Sequence, residues 1–325
     1  MASAHPDDAV FVEAPARLHF GMLDLRGDLG RRFGGIGAAI PDPSLRLEAS
    51  RTQHGFAAEG PSSERVLEFA HRFASHHALP GGARVRVHRA IPAHAGLGSG
   101  TQLALAVARA LAELYELHLE PVALARAVGR ARRSGVGTWL FALGGLVVEG
   151  GRRTESDAPA PLLAHYPIPA AWRVVVAIPE RKESVSGEVE AQAFAHLQPP
   201  PERDAERVAH LVLLGLLPAL VEGDLATFGR ALTEIQCVNG RWFAPVQGGE
   251  FAPGASAALV HAMRDWGAAG VGQSSWGPAV YGIVSGDEAA AEVATRARVL
   301  LGRDGAVFAG PFVNEPARVW RARAS

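Results

Sequence analysis

The chain has 325 residues, with 32 Lys plus Arg against 33 Asp plus Glu, 48% hydrophobic residues and one cysteine. That near-neutral balance excludes a global pull toward nucleic acid or an anionic membrane, so any anion must be held locally. A lone Cys237 excludes an intramolecular disulfide and opposes a structural zinc site.

The N-terminus is polar, and no apolar run reaches the ~20 residues that span a bilayer, so a soluble cytoplasmic protein is expected. Lys182 is the sole lysine; every other cation is arginine.

Val10–Leu18 reads as a strand, and Leu45–Ala49 as another after a turn at Pro41–Pro43. Ser62 or Ser63 caps a helix running from Glu64 to about His77, with Val66, Leu67, Phe69, Ala70 and Phe73 on one side. Arg84–His88 alternates as a half-exposed strand does. The glycine-rich turn Ile91–Thr101 follows, then an apolar helix Gln102–Leu117, a helix Pro121–Arg132 and a strand Gly144–Glu149. The Gly- and Pro-rich stretch 150–169 reads as the connection between domains spanning residues 1–160 and 161–325. Beyond it come a strand at Trp172–Ile178, helices at 205–221, 225–237 and 256–266, and a helix at 287–301 flanked by strands at 279–284 and 306–312. This order implies two α+β layers.

Gly96-Leu97-Gly98-Ser99-Gly100-Thr101 lies between a strand and a helix. Glycines let the backbone close on an anion, and the helix N-terminus directs N–H groups and a favourable dipole at it. Ser99 and Thr101 add hydroxyl groups. No Gly-Lys-Ser/Thr is present, so this is not a Walker loop.

Pro92-x-x-x-Gly96-Leu97-Gly98-Ser99-Gly100 resembles the second motif of the GHMP superfamily of small-molecule kinases, and 270–278 occupies the place of its third. The resemblance implies an N-terminal ribosomal-protein-S5-like domain and a C-terminal ferredoxin-like α+β domain. The stretch 132–145, where such kinases carry an aspartate, contains no carboxylate, which weakens a kinase reading. Segments 14–25, 30–37, Ser134-Gly135-Val136-Gly137, Gln247-Gly248-Gly249 and Gln273–Pro278 resemble instead the beta-ribofuranosylaminobenzene 5'-phosphate synthase family.

That resemblance implies a decarboxylating phosphoribosyltransferase of methanopterin biosynthesis, a homodimer using Mg²⁺. It joins phosphoribosyl pyrophosphate to 4-aminobenzoate or 4-hydroxybenzoate and releases carbon dioxide and pyrophosphate. Asp24 becomes the candidate for steadying the ribosyl cation or holding Mg²⁺. Arg17 and Arg31 become anion ligands and His19 a donor or general acid. Gly96, Gly98, Ser99, Gly100 and Thr101 form the pyrophosphate cradle. Arg132, Ser134, Gly135 and Gly137 form a second phosphate loop, and Gln247, Gly272, Gln273, Ser274, Ser275 and Trp276 line the aromatic-acid pocket. The alternatives are a GHMP kinase and a non-catalytic metabolite-binding regulator.

Overall fold

The computed structural model describes residues 8–155, 158–180, 194, 197–303 and 305–323, and Lys182 lies outside them. Strand β1 (Asp8–Gly21) pairs antiparallel with β3 (Gly35–Thr52). Beyond β3 lie β5 (Gly82–Arg89) and β4 (Phe56–Glu59), while β6 (Leu146–Glu149) and β8 (Leu162–Tyr166) extend from the first half of β3. The last strand, β13 (Arg318–Arg323), returns to the far edge of β1. Two-residue strands β2 (Arg31–Arg32) and β7 (Arg152–Arg153) pair separately.

A second sheet runs β10 (Gly270–Gln273), β11 (Val280–Ser285), β9 (Trp172–Pro179), β12 (Gly305–Pro311). Helices at Ala255–Asp265 and Gly286–Leu301 close over it around Val175, Ala177, Leu259, Met263 and Val293. Helices layered on mainly antiparallel sheets make the fold α+β, as the element order implied.

Helix α2 (Ser99–Leu114) packs on β1 and β3. The long helix Leu225–Gln247 and β12 reach the same two strands from the C-terminal half. Strand β1 is therefore buried along nearly its whole length, where a strand with one wet face would alternate. Its His19 ends up buried and its Arg17 half-buried.

Several elements differ from the sequence reading. Pro41–Pro43 is not a turn between strands but an irregularity within β3: Ala14 faces Leu45 and Ala16 faces Ile40, so four residues bulge opposite Pro15. Prolines, lacking an N–H, suit that break in the ladder. The helix expected to end at Cys237 continues to Gln247, with Pro245 in its last turn where a missing N–H costs little, and stops at left-handed Gly248. The helix expected to reach Arg132 ends at Ala127, and a further short helix, Val136–Leu143, follows. The 205–221 helix contains a π-helical turn at Val212–Leu216. The stretch 150–169 carries β7, which pairs with β2 apart from the main sheets, and β8, which pairs with β6 and extends the first sheet.

Candidate active site

The glycine turn ends at Gly98, in the left-handed region at φ 78°, which starts α2 by accepting the N–H groups of Thr101 and Gln102. A Cβ on Gly98 would lie 2.8 Å from Cγ of Arg17, and one on Gly100 would lie 2.5 Å from Nη2 of Arg65 and 3.4 Å from Nη2 of Arg130. Absence of side chains at these positions therefore lets three guanidinium-bearing chains close on the helix N-terminus. Arg17 donates through Nη1 to the Gly96 carbonyl, and its backbone N–H donates to the Leu97 carbonyl at 3.1 Å. Ser274 donates through Oγ to the Gly96 carbonyl (2.7 Å) and accepts the His19 N–H (2.9 Å), so the turn is fastened to β1 from both sides.

The resulting cleft, about 440 Å³, is lined by Arg17, Arg65, Arg130 and Arg133 together with Ser99 and Thr101. No carboxylate is among its described lining residues. Planar guanidinium forks converging on helical N–H groups suit a polyphosphate.

Ser275 and Trp276 line this cleft and also a second, tighter pocket. There Trp276 meets Phe243 at 4.9 Å and Phe194 at 5.5 Å between ring centroids, with Phe194 and Phe243 edge-on at 5.8 Å. Gln236, Asn239, Phe243 and Gln247 fall on one face of their helix and border the pocket. Asn239 holds both backbone groups of Met22, accepting its N–H at 2.6 Å and donating to its carbonyl at 3.1 Å. Gln236 donates to the Phe20 carbonyl (2.6 Å) and accepts the Gln273 N–H (2.8 Å). Gln273 in turn accepts the Ala252 N–H at 2.7 Å and donates to the Ser275 carbonyl at 3.0 Å. The pocket is thus an aromatic box on a rigid amide frame.

A third space, lined by Arg17, His19, Thr101, Arg130, Arg132, Arg133, Ser134 and Gly137, joins the two. Behind it Glu149, fully buried, accepts N–H bonds from Gly135 (3.1 Å) and Gly151 (2.8 Å) and bonds the Ser134 side chain. Ser134 Oγ lies 3.3 Å from His19 Nε2. Burial, offset in part by those N–H donors, pushes the Glu149 carboxyl up to about 7. Burial first and the Arg17 guanidinium second hold His19 down at about 3, so its ring is neutral at physiological pH.

The GHMP kinases N terminal domain matches residues 64–145, across the glycine turn, and the GHMP kinases C terminal domain matches 216–298. Beta-ribofuranosylphenol 5'-phosphate synthase of Methanothermobacter thermautotrophicus is 37% identical over 316 residues, covering 90% of this chain and 93% of the relative. The chain belongs to the beta-ribofuranosylphenol 5'-phosphate synthase family. The protein so named in Archaeoglobus fulgidus is 35% identical over 296 residues, covering 88% and 91%. Solved structures with this fold include homoserine kinase from Cytophaga hutchinsonii (TM-score 0.74, 17% identity, 98% and 99% covered) and L. major mevalonate kinase (0.68, 17%, 94% and 95%). The synthase family therefore shares its fold with small-molecule kinases.

Within this family member the site brings together most residues singled out from the sequence. Arg17, Gly96, Gly98, Ser99, Gly100 and Thr101 line the cationic cleft; His19, Gln247, Gln273, Ser275 and Trp276 line the aromatic pocket; Arg132, Ser134 and Gly137 line the joining space. Gly135 and Ser274 serve through their bonds to Glu149 and the glycine turn, and Gly272 packs against Gln236 and Tyr281.

Asp24 and Arg31 line none of these three spaces. Asp24 accepts the N–H groups of Arg26 (2.7 Å) and Gly27 (3.2 Å) and is tied to Phe33 through the backbone, while Arg31 donates to the Gly151 carbonyl at 3.0 Å. Their loop reaches the pocket's edge through Phe33, edge-on to Phe194 at 5.9 Å.

Sequence reasoning passed over Arg65, Arg130, Glu149, Phe194 and the Gln236–Asn239–Phe243 face. The last was legible: amides at i and i+3 on an otherwise apolar helical stripe must find partners indoors. So was Glu149, a single charge ending the buried run Leu146–Val148. Arg65 and Arg130 carry no local signal, because only helix packing brings them to Gly100.

Proposed function

We propose that this chain transfers the phosphoribosyl group of phosphoribosyl pyrophosphate to the ring carbon of a 4-substituted benzoate, releasing pyrophosphate and carbon dioxide. The observation that carries this reading is the junction at Ser275 and Trp276: a carboxylate-free arginine cleft opens there directly into an aromatic box. Such a junction suits a transferase that joins a polyphosphate-activated sugar to an aromatic ring, and the family of the relatives favours that over a nucleotide's base and phosphates. The names of the relatives make 4-hydroxybenzoate the first acid to try, with 4-aminobenzoate beside it. The step belongs to the making of methanopterin-type carriers.

In this reading Arg17, Arg65, Arg130, Arg133 and the N-terminus of α2 bind the pyrophosphate and take up its charge as the ribose C–O bond breaks. Trp276, Phe243 and Phe194 hold the ring so that the carbon bearing the carboxylate faces the ribose. Loss of carbon dioxide then restores aromaticity.

Asp24 and Arg31 keep their proposed parts, steadying the ribosyl cation and holding an anion, through the loop that borders Phe194; both parts require that loop to turn inward over the bound sugar. As a metal ligand Asp24 keeps a free lone pair on each oxygen beside the N–H bonds it accepts from Arg26 and Gly27, and it too would need the loop to turn inward. Among the described residues no group of three or more Asp, Glu, His or Cys side chains is placed to hold a metal ion. Ser99 and Thr101 hydroxyls are the donors that suit Mg²⁺ brought in on the pyrophosphate, where the ion would neutralise phosphate charge.

The test is release of labelled carbon dioxide from carboxyl-labelled 4-hydroxybenzoate or 4-aminobenzoate, with phosphoribosyl pyrophosphate and Mg²⁺. Release that needs both substrates is expected. No release with either acid at high enzyme concentration, alongside ATP turnover with an alcohol acceptor, would overturn the reading in favour of a kinase.

A further inference from the structure

The chain His19–Ser134–Glu149 is not used by the reaction just described, yet its first member stands where the aromatic and cationic spaces meet. Ring nitrogen Nε2 of His19 faces Ser134 Oγ at 3.3 Å, and the ring lines both the aromatic pocket and the joining space. Nδ1 forms no hydrogen bond among the described residues, which leaves it to meet whatever occupies those spaces. A neutral imidazole has one N–H, so the nitrogen that carries it decides what the other offers.

Ser134 has a single hydroxyl proton and two neighbours that compete for it. When Glu149 is ionised it can only accept, so Ser134 donates to it and accepts from His19 Nε2–H. His19 Nδ1 then faces the cavity as an acceptor. When Glu149 is protonated its O–H donates to Ser134, whose proton turns to His19 Nε2. The histidine proton is then on Nδ1, facing the cavity as a donor. One proton is added at Glu149; the imidazole proton moves between nitrogens and none is lost.

We propose that Glu149 is a positioning residue that acts through Ser134 to choose which nitrogen of His19 carries the proton, and so whether His19 offers the bound substrate a donor or an acceptor. The donor form is the one that suits an anion, whether a phosphate or the benzoate carboxylate.

The other charged groups around the chain are Glu250, which lines the aromatic pocket with His19, Arg132 in the joining space, and further arginines. Arg17 lies on the same strand as His19, Arg130 and Arg133 line the joining space, and Arg31 reaches the Gly151 carbonyl beside the Glu149 contact. Within the chain itself Glu149 is the member whose charge changes. Its carboxyl, pushed up to about 7, ionises near neutral pH. His19, held at about 3, stays neutral throughout.

The test is ¹⁵N NMR of histidine-labelled protein from pH 5.5 to 8.5, with the His19 signals assigned by their loss in His19→Gln. Wild type is expected to keep a neutral His19 whose proton moves from Nδ1 to Nε2 as pH rises, with a midpoint near that of Glu149. Glu149→Gln and Ser134→Ala should each abolish the transition; Ser134→Ala leaves the carboxylate and its two N–H donors in place, so it stands as a second test should Glu149→Gln not fold.

The kinetic arm rests on the phosphoribosyl-transfer reading. KM for phosphoribosyl pyrophosphate should rise about tenfold across the transition in wild type, the worth of one hydrogen bond to a charged group, and stay level in both variants. An imidazolium at pH 5.5, or a tautomer change that persists in Ser134→Ala, overturns the inference. Lack of carbon dioxide release overturns only the reaction assignment, because the tautomer is read without turnover.

Discussion

Replacing Gly100 by alanine should separate folding from binding with opposite signs. Gly100 lies in the first turn of α2 with no positive φ, so alanine is conformationally welcome and should raise stability by up to ~1 kcal/mol. The added Cβ would sit 2.5 Å from Nη2 of Arg65. That nitrogen is the far end of a flexible side chain, so the helix stays and the guanidinium moves. A hydrogen bond from a charged donor to phosphate is worth ~1.5–3 kcal/mol, and 1.4 kcal/mol corresponds to about a tenfold change in affinity. Loss of the Arg65 contact should therefore weaken phosphoribosyl pyrophosphate binding roughly ten- to hundredfold. Urea unfolding and isothermal titration on the same preparation measure both quantities. Affinity within twofold of wild type would refute a role for Arg65 in the cradle. A fall in stability would refute the claim that the side chain, and not the helix, gives way.

Trp276→Leu should raise KM for the aromatic acid at least tenfold while leaving that for phosphoribosyl pyrophosphate within about threefold, since the indole forms the box and only borders the cleft; steady-state kinetics in each substrate decides it. Asp24→Asn keeps one acceptor for the Arg26 and Gly27 N–H groups, so the fold should survive while turnover falls much more than substrate binding; an unchanged kcat removes Asp24 from the mechanism. Asn239→Ala removes two bonds to Met22 and should cost ~1–3 kcal/mol in urea unfolding. Because the Glu149 pKa is raised on folding, its contribution to stability is complete below the ordinary carboxyl value of 4.5 and is lost as pH climbs through about 7. Glu149→Gln should remove that downward slope between pH 5 and 8; a variant whose stability follows the wild-type slope would show that Glu149 does not titrate there.

The sequence by itself determined what depends on neighbours along the chain. Three glycines and two hydroxyl residues between an alternating strand and an apolar helix mark a turn that leaves a helix N-terminus open, because left-handed φ and a helix N-terminus are local properties. The apolar runs fixed the α+β class for the same reason. Local signals failed where the chain continues through a break: the prolines at Pro41–Pro43 marked a turn where β3 only bulges, and the long helix was ended at Cys237, short of the residues that frame the pocket.

Tertiary structure alone decided which charges meet. Arg65 and Arg130 come from separate segments and share Gly100 only because three elements pack there. Asp24, prominent in the sequence, spends its oxygens on its own loop. Glu149 becomes perturbed because packing buries it at the end of β6, an effect the Gly135 and Gly151 N–H groups only partly offset. Convergence of distant charges and the loss of water around them are properties of packing, and no window of sequence contains them.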